Sequence, residues 1–451
     1  MKIITSTTMA LLDLPPEIFQ RIIAEHIKKY GVVAAWKLRG LSKAFRHYID
    51  YEVLATPKLN AYLKHKAGRT ILRNNMARFL FLRSHRLNGF VRDLVPNFIR
   101  DVMQRAESWI SDDQARVALR RVLCELYVET DDLAYALITK GVEQTRWYQH
   151  VENIQVAKVI NLIAAAAAAG SIEALRGFAN HNHQLLWQYS PTFGYPIVAA
   201  AYAGQFEVVK ALAEQAVTDK GLPSVLTHST GEHSAFKHAI CTAIEQGHDE
   251  MAKVLIENHG RVFGLATESC MAKWLDCAVT AGNKVITRLL QHIPNHGGEG
   301  LFYSAFRSSC KLENPDIIRI FFDEKRLEIN GVTAKGYPLR TAIMESYKSA
   351  VSVRALLALG ANPDGPVYPG AFDRPLQVSL KMYRHQASIA LLDAGANIHL
   401  IPDSVWFPYK KTWSNTLGKL EFGLICSFMD SPKPKPLQGE LFASARTEGD
   451  V

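Results

Sequence analysis

No apolar run in these 451 residues approaches the ~18 that a membrane-spanning helix needs. The longest candidate, Leu162 to Ala169, is short and alanine-rich, and it reads as the inner helix of a packed unit. Met1 to Leu14 holds one Lys and a broken apolar stretch, which makes a poor secretory signal. Cysteine is sparse: six residues, at positions 124, 241, 270, 277, 310 and 426, with no Cys-x-x-Cys spacing. That excludes a zinc ribbon and points to free buried thiols in a reducing compartment, hence a cytoplasmic or nuclear protein. Cys270 and Cys277 read as core residues along a helix. There is no Gly-x-x-x-x-Gly-Lys-Ser/Thr loop, no His-Glu-x-x-His and no Gly-x-Ser-x-Gly. The tightest histidine pair, His181 and His183, would point its rings apart on a helix and reads as a surface turn. The expectation is therefore a non-catalytic chain with no catalytic residue, cofactor or metal.

Charge is present but uneven. The net +9 resolves into 19 Lys and Arg against 8 Asp and Glu in residues 1–110, and 33 against 35 in the remainder. A basic quarter invites a nucleic-acid reading. The cations between Lys58 and Arg105 are interspersed with apolar residues, as in Arg78 to Arg83, so they read as solvated faces of amphipathic helices. Nucleic acid is not the expected partner, and neither is a membrane or a small-molecule substrate. A nucleic-acid or chromatin-bound scaffold is kept only as a weaker third reading. With 48% hydrophobic and 21% charged residues the chain reads as a folded protein, too long for one compact core.

What the chain has in abundance is repetition. Seven stretches repeat one pattern: a start position, polar in all but Val351, then small or apolar residues at offsets of one and two and an apolar residue at offset five. They start at Glu173, Glu207, Glu250, Lys284, Asp316, Val351 and Gln386, with a weaker copy at Asp132. Those offsets put the apolar side chains on one helical stripe. Starts about 34 residues apart imply a stack of small helical units, which binds partners along a surface. The clearest unit runs from Gly194 to Leu212. Pro196 suits a helix start, Ala199 to Ala201 allow close helix approach, and Gly204 suits a tight turn. Leu212, Leu255 and Phe321 are expected to be buried between units.

That unit resembles the ankyrin repeat, with its Pro helix start, Ala-Ala pair, Gly turn and Val-Val-x-x-Leu helix. Gly360-Ala361-Asn362 and Gly395-Ala396-Asn397 look like the family's Gly-Ala exit. The resemblance covers roughly residues 115 to 400. Most units lack the Thr-Pro-Leu-His start, and Asn314 and Tyr347 fall near where a turn glycine is expected. In that family the first helices and loop tips form the concave binding surface. Two loops exceed the repeat's need: Val217 to His233 and Asn362 to Arg374. Loops carry recognition, and aromatic and Arg side chains make strong anchors, so Tyr202, Tyr368, Phe372 and Arg374 are the expected target contacts.

Before the repeats, Asp13 can cap a helix that Pro15, Pro16 and Glu17 open, with Ile18, Ile22 and Ile23 as its apolar stripe. After a turn at Gly31, a second helix carries Trp36 to Arg46, then Ile49 and Leu54. Three short helices make a marginal core that often leans on a partner. The run Leu14-Pro15-x-Glu17-Ile18, then Ile22-Ile23, then Leu38-x-x-Leu41-Ser42-Lys43-x-Phe45-Arg46, resembles the F-box. Gly40 stands where that family usually has an apolar residue, and Leu54 near where it often has Trp. The resemblance implies docking onto a Skp-family adaptor of a cullin ligase through Leu14, Pro15, Ile18, Ile22, Leu38, Leu41 and Phe45. Fungal proteins that join an F-box to ankyrin repeats are the kin it suggests.

The expected fold is all-α: an N-terminal three-helix F-box-like module followed by an ankyrin-repeat helical solenoid. The expected boundaries are 10–55 for the module and 56–112 for a helical linker and N-terminal cap, with Leu80, Leu82, Leu87, Phe90, Val91, Leu94, Phe98, Ile99 and Val102 buried. Then come 113–400 for seven to eight degenerate repeats, 401–430 for a C-terminal cap and 431–451 for a disordered tail. The expected function is substrate recognition in a Skp–cullin–F-box ubiquitin ligase. The alternative is an ankyrin-repeat scaffold without a ligase role, whose first helices only cap the stack.

Overall fold

A computed structural model describes residues 14–84, 94–130, 158–179, 183–219, 230–292, 299–333, 336–346, 349–366 and 373–401. The weak copy at Asp132, the residues Tyr347, Tyr368 and Phe372, the cap at 401–430 beyond Ile401 and the tail all lie outside these. Among the described residues there are 22 α-helices and no β-strand, only two isolated bridges. The fold class is all-α. No helix among them is long and apolar enough to cross a membrane. The chain divides into two compact units, Met1–Ala266 and Thr267–Val451.

In the first unit α1 (Pro16–Tyr30) begins with Pro16 in its first turn and Glu17 beside the positive helix end, while Lys28 and Lys29 sit at the negative end. It stops at Gly31, whose φ of 86° favours glycine. The single second helix expected from the sequence is broken in two. α2 (Val32–Lys37) runs into a 3₁₀ turn at Leu38–Gly40. Ser42 then caps α3 (Lys43–Ala55) by accepting from the Phe45 N–H at 3.2 Å. Four helices follow: α4 (Asn60–Leu63), α5 (Lys66–Asn74), α6 (Met76–Ser84) and α7 (Leu94–Ala106), with Pro96 in the first turn of α7. α8 (Asp113–Thr130) completes the segment. Of the expected linker core, Leu80, Ile99 and Val102 are buried, and Leu82 and Phe98 are half-buried against the same core.

One apolar cluster runs from Phe19, Ile23 and Ile27 through Ile49, Leu54, Tyr62, Leu72, Phe79 and Leu123 to Ala164 and Ala199. The three-helix module thus shares a core with the helices that follow it in the chain. Asp50, buried on α3, pairs with Arg39 and, at 2.6 Å, with Arg78 of α6. Lys58, Lys64, Lys66, Arg69, Arg73 and Arg78 are exposed, as the reading of solvated faces expects, and Arg83 is the exception, with only 3% of it exposed. Its guanidinium lies 4.1 Å from the centre of the Phe79 ring. It donates to the carbonyls of Leu54 at 3.0 Å and Pro57 at 2.7 Å, groups left over where α3 ends.

Antiparallel helix pairs follow. The first unit holds α9 (Lys158–Ala168) with α10 (Ile172–Ala179), α11 (Pro196–Tyr202) with α12 (Phe206–Asp219), and α13 (Thr230–Glu245) with α14 (Asp249–Phe263). α9, α11 and α13 pack side by side, and α12 packs on α14. Ala164 to Ala168 and Ala199 to Ala201 are buried, so small side chains line the close approach of α9 and α11. The second unit holds α15 (Glu268–Thr280) with α16 (Lys284–His292), α17 (Glu299–Lys311) with α18 (Pro315–Asp323), α19 (Pro338–Glu345) with α20 (Val351–Ala358), and α21 (Pro375–Lys381) with α22 (His385–Asp393). Within that unit first helices stack on first helices and second on second.

All seven strong motif starts fall on the first or second residue of a second helix. Leu212, Leu255 and Phe321 are buried, as are the five described cysteines, all free thiols. The expected loop from Val217 is shorter than its sequence suggests, because α12 extends to Asp219 and α13 begins at Thr230.

The fully described turns inside the pairs share one hydrogen-bond pattern. The N–H of Gly204 donates to the Ala201 carbonyl and that of Gln205 to the Ala200 carbonyl. Gly204 has φ 74°, and a Cβ there would meet the His248 ring at 3.2 Å. Asn314 is not the residue that stands in for glycine. Glu313 takes the left-handed conformation, at φ 55°, while Asn314 caps α18 by accepting from the Ile317 N–H at 3.2 Å. The Gly360 and Gly395 exits close with the same two bonds, and Lys325, at φ 53°, occupies a third such exit.

Candidate docking site

On α1 the apolar residues divide between two faces. Phe19, Ile23 and Ile27, at i, i+4 and i+8, turn into the core. The Phe19 ring meets those of Phe45 and Tyr48 edge-on, each at 5.0 Å. Ile18 and Ile22, also four apart, remain 46% and 40% exposed. The sequence reading of Ile18, Ile22 and Ile23 as one stripe is corrected: Ile23 belongs to the core face. Leu41, in the turn before α3, is 65% exposed, and Pro15 is exposed at the N-cap of α1. Leu14, Leu38 and Phe45 are half-buried, and the last two lean on the core cluster. Behind this face Glu52 is buried and accepts from Gln20 on α1 at 2.5 Å and Thr56 at 3.0 Å, which fastens α1 to α3. The seven residues read from the sequence therefore comprise three large exposed aliphatics, one exposed proline, the half-buried Leu14, and Leu38 and Phe45, which join this face to the core.

The expected target contacts fare differently. Tyr202 is not a free aromatic tip. Its hydroxyl bonds the carboxylates of Glu125 at 3.4 Å and Glu129 at 3.3 Å on α8, so it ties α11 to α8. Burial, then the charges of Glu129 and Glu125, raises the phenol well above its ordinary range. The Glu129 carboxyl is raised too, by burial first, against the lowering effect of its bond from Tyr202. Arg374 precedes α21 and donates to the Asp364 carbonyl at 3.0 Å, bracing the loop it was expected to present. The same loop is tied to its neighbours by Asn362 N–H to Asn330 Oδ1 at 2.9 Å and Asn397 N–H to Asp364 Oδ1 at 2.6 Å. Tyr368 and Phe372 lie outside the described residues.

No protein-family model matches the chain, and no curated protein resembles it at a significant level.

Proposed function

We propose that the chain is a substrate-recognition subunit of a Skp–cullin–F-box ubiquitin ligase. In this reading the N-terminal module docks a Skp-family adaptor and ankyrin-type helix pairs hold a target protein. The chain then acts by proximity, raising the effective concentration of the target near the ubiquitin-transferring subunits, and supplies no catalytic residue itself. Cytosol or nucleus is the compartment that fits. The observation that carries the reading is the exposure of Ile18 and Ile22 on α1, whose Ile23 and Ile27 are buried, together with that of Leu41 in the turn before α3. Water-exposed aliphatic anchors in an otherwise well-packed module suit a face that another protein covers.

A second reading has its own support. The module shares one core with α4–α9 and α11, as the cap of a helical scaffold would. Calorimetry of the full chain with a Skp-family adaptor separates the two. Adaptor binding that weakens by ~2 kcal/mol or more in the Ile18→Ala/Ile22→Ala/Leu41→Ala variant supports ligase docking. No binding to the intact chain leaves the scaffold.

A further inference from the structure

Away from the face just described, α3, α6 and α8 enclose a half-open cavity of about 370 Å³. Ala77, Phe81 and Leu82 give it an apolar lining, and His47, Tyr51, Arg78, Arg121 and Glu125 supply polar groups. Arg121 also borders a shallow surface strip of the same helix with Asp113, Gln114, Val117 and Ala118. From Asp113 to Glu125 α8 rises about 18 Å, which matches roughly five residues of extended chain.

One cation of this cleft is held in place before any ligand arrives and a second reaches out beside it. Arg78 is fixed by the buried Asp50 carboxylate at 2.6 Å. Arg121 is exposed and reaches over the Phe81 ring, 5.6 Å from its centre. No ion pair joins Arg121 to a described carboxylate. Its planar fork suits a carboxylate, and stacking on a ring lowers the entropy lost on binding. Val117 and Tyr51 leave 39% and 42% of their surface uncovered beside it. Asp113, paired with Arg116 at 3.1 Å, and Glu125, which accepts from Tyr202, put a carboxylate at each end of this α8 span, which disfavours a continuous polyanion. A ligand with one central negative charge and apolar neighbours meets no such penalty.

We propose that this cleft binds an extended segment of a partner protein in which a single Asp or Glu is flanked by large apolar side chains. The carboxylate bonds Arg121 and Arg78, one apolar side chain enters the Phe81–Leu82 hollow, and the other covers Val117. The assignment does not rest on adaptor docking, because Ile18, Ile22 and Leu41 take no part in it. It adds, beside the helix pairs, a second protein-binding surface built from module helix α3 and the following helices α6 and α8.

The test uses the full chain and a displayed random hexapeptide library. Enrichment of peptides with one acidic residue between Leu, Ile or Phe is the expected result. Fluorescein-labelled copies should then lose about tenfold in affinity with Arg121→Glu, one charge-assisted contact's worth, and several-fold with Tyr51→Ala. Arg319→Glu on α18 should change nothing. Both cleft residues are exposed, so unaltered circular dichroism is expected of each variant. Failure of one variant to fold leaves the other as the readout. Absence of acidic–apolar enrichment, or enriched peptides indifferent to both variants, overturns the proposal. So does tighter binding of a 12-nucleotide single-stranded oligonucleotide that Arg121→Glu abolishes.

Discussion

Glu313 and Lys325 offer a direct test of how the second unit spends backbone strain. Both hold the left-handed conformation, at φ 55° and 53°, where the chain turns sharply after a helix. For a side-chain-bearing residue that conformation costs about 1–2 kcal/mol. Glycine removes the cost and loses about 0.5–1 kcal/mol through greater freedom of the unfolded chain. The net gain expected for Glu313→Gly or Lys325→Gly is therefore about 0.5–1 kcal/mol each. The sites lie in different turns, so the double variant should approach the sum. The mirror experiment is Gly282→Ala. Gly282 has φ 68° in the equivalent turn of the preceding pair, and a Cβ would meet only Asn314 Nδ2, at an ordinary 3.4 Å. Its cost should be about 1 kcal/mol of backbone strain, with little from collision. Urea unfolding followed by circular dichroism reads all three as shifts in midpoint. A lower midpoint for Glu313→Gly, or an unshifted one for Gly282→Ala, would refute the claim that backbone conformation limits these turns.

Other outcomes follow from the N-terminal unit and its histidines. Ile18→Ala/Ile22→Ala should change stability by less than ~0.5 kcal/mol per site, whereas Phe19→Ala should cost about 3–5 kcal/mol; thermal melts should separate the two faces of α1. Arg83→Met should cost about 2–4 kcal/mol, because two carbonyls lose their donor inside the core, and the denaturant midpoint measures it. His259 is buried beside His233, and burial first, then that neighbour, lowers its pKa to about 4. The unfolded chain then binds the extra proton more readily. Stability should be complete above pH 6.5 and fall by up to ~3 kcal/mol as pH drops towards 4. Titrating the unfolding midpoint against pH checks it, and His259→Gln should flatten that slope. Tyr202→Phe should loosen α11 from α8 by about 1 kcal/mol, visible as faster amide exchange along α8.

The helix pairs were legible in the sequence because they rest on local chemistry. Offsets of one, two and five define a stripe within one helix, so all seven motif starts land where second helices begin. Pro196 and Gly204 likewise act within their own turn. Free buried thiols followed from spacing, since nothing paired them. What the sequence could not decide was which of two candidate faces meets the core. Ile18 and Ile22 have the same spacing as Phe19 and Ile23, and only packing against α3 selects the latter pair. Left-handed Glu313 and Lys325 carry no glycine signal, because stacking of the helices on either side compels a conformation their side chains disfavour. Arg83 reads as a surface cation until carbonyls 29 and 26 residues earlier in the chain close around it. Tyr202 reads as an aromatic target contact until α8, 73 to 77 residues before it, supplies two carboxylates. The cleft beside Arg121 needs three helices from separate parts of the chain. Each of these depends on contacts distant in sequence, which tertiary structure alone brings together.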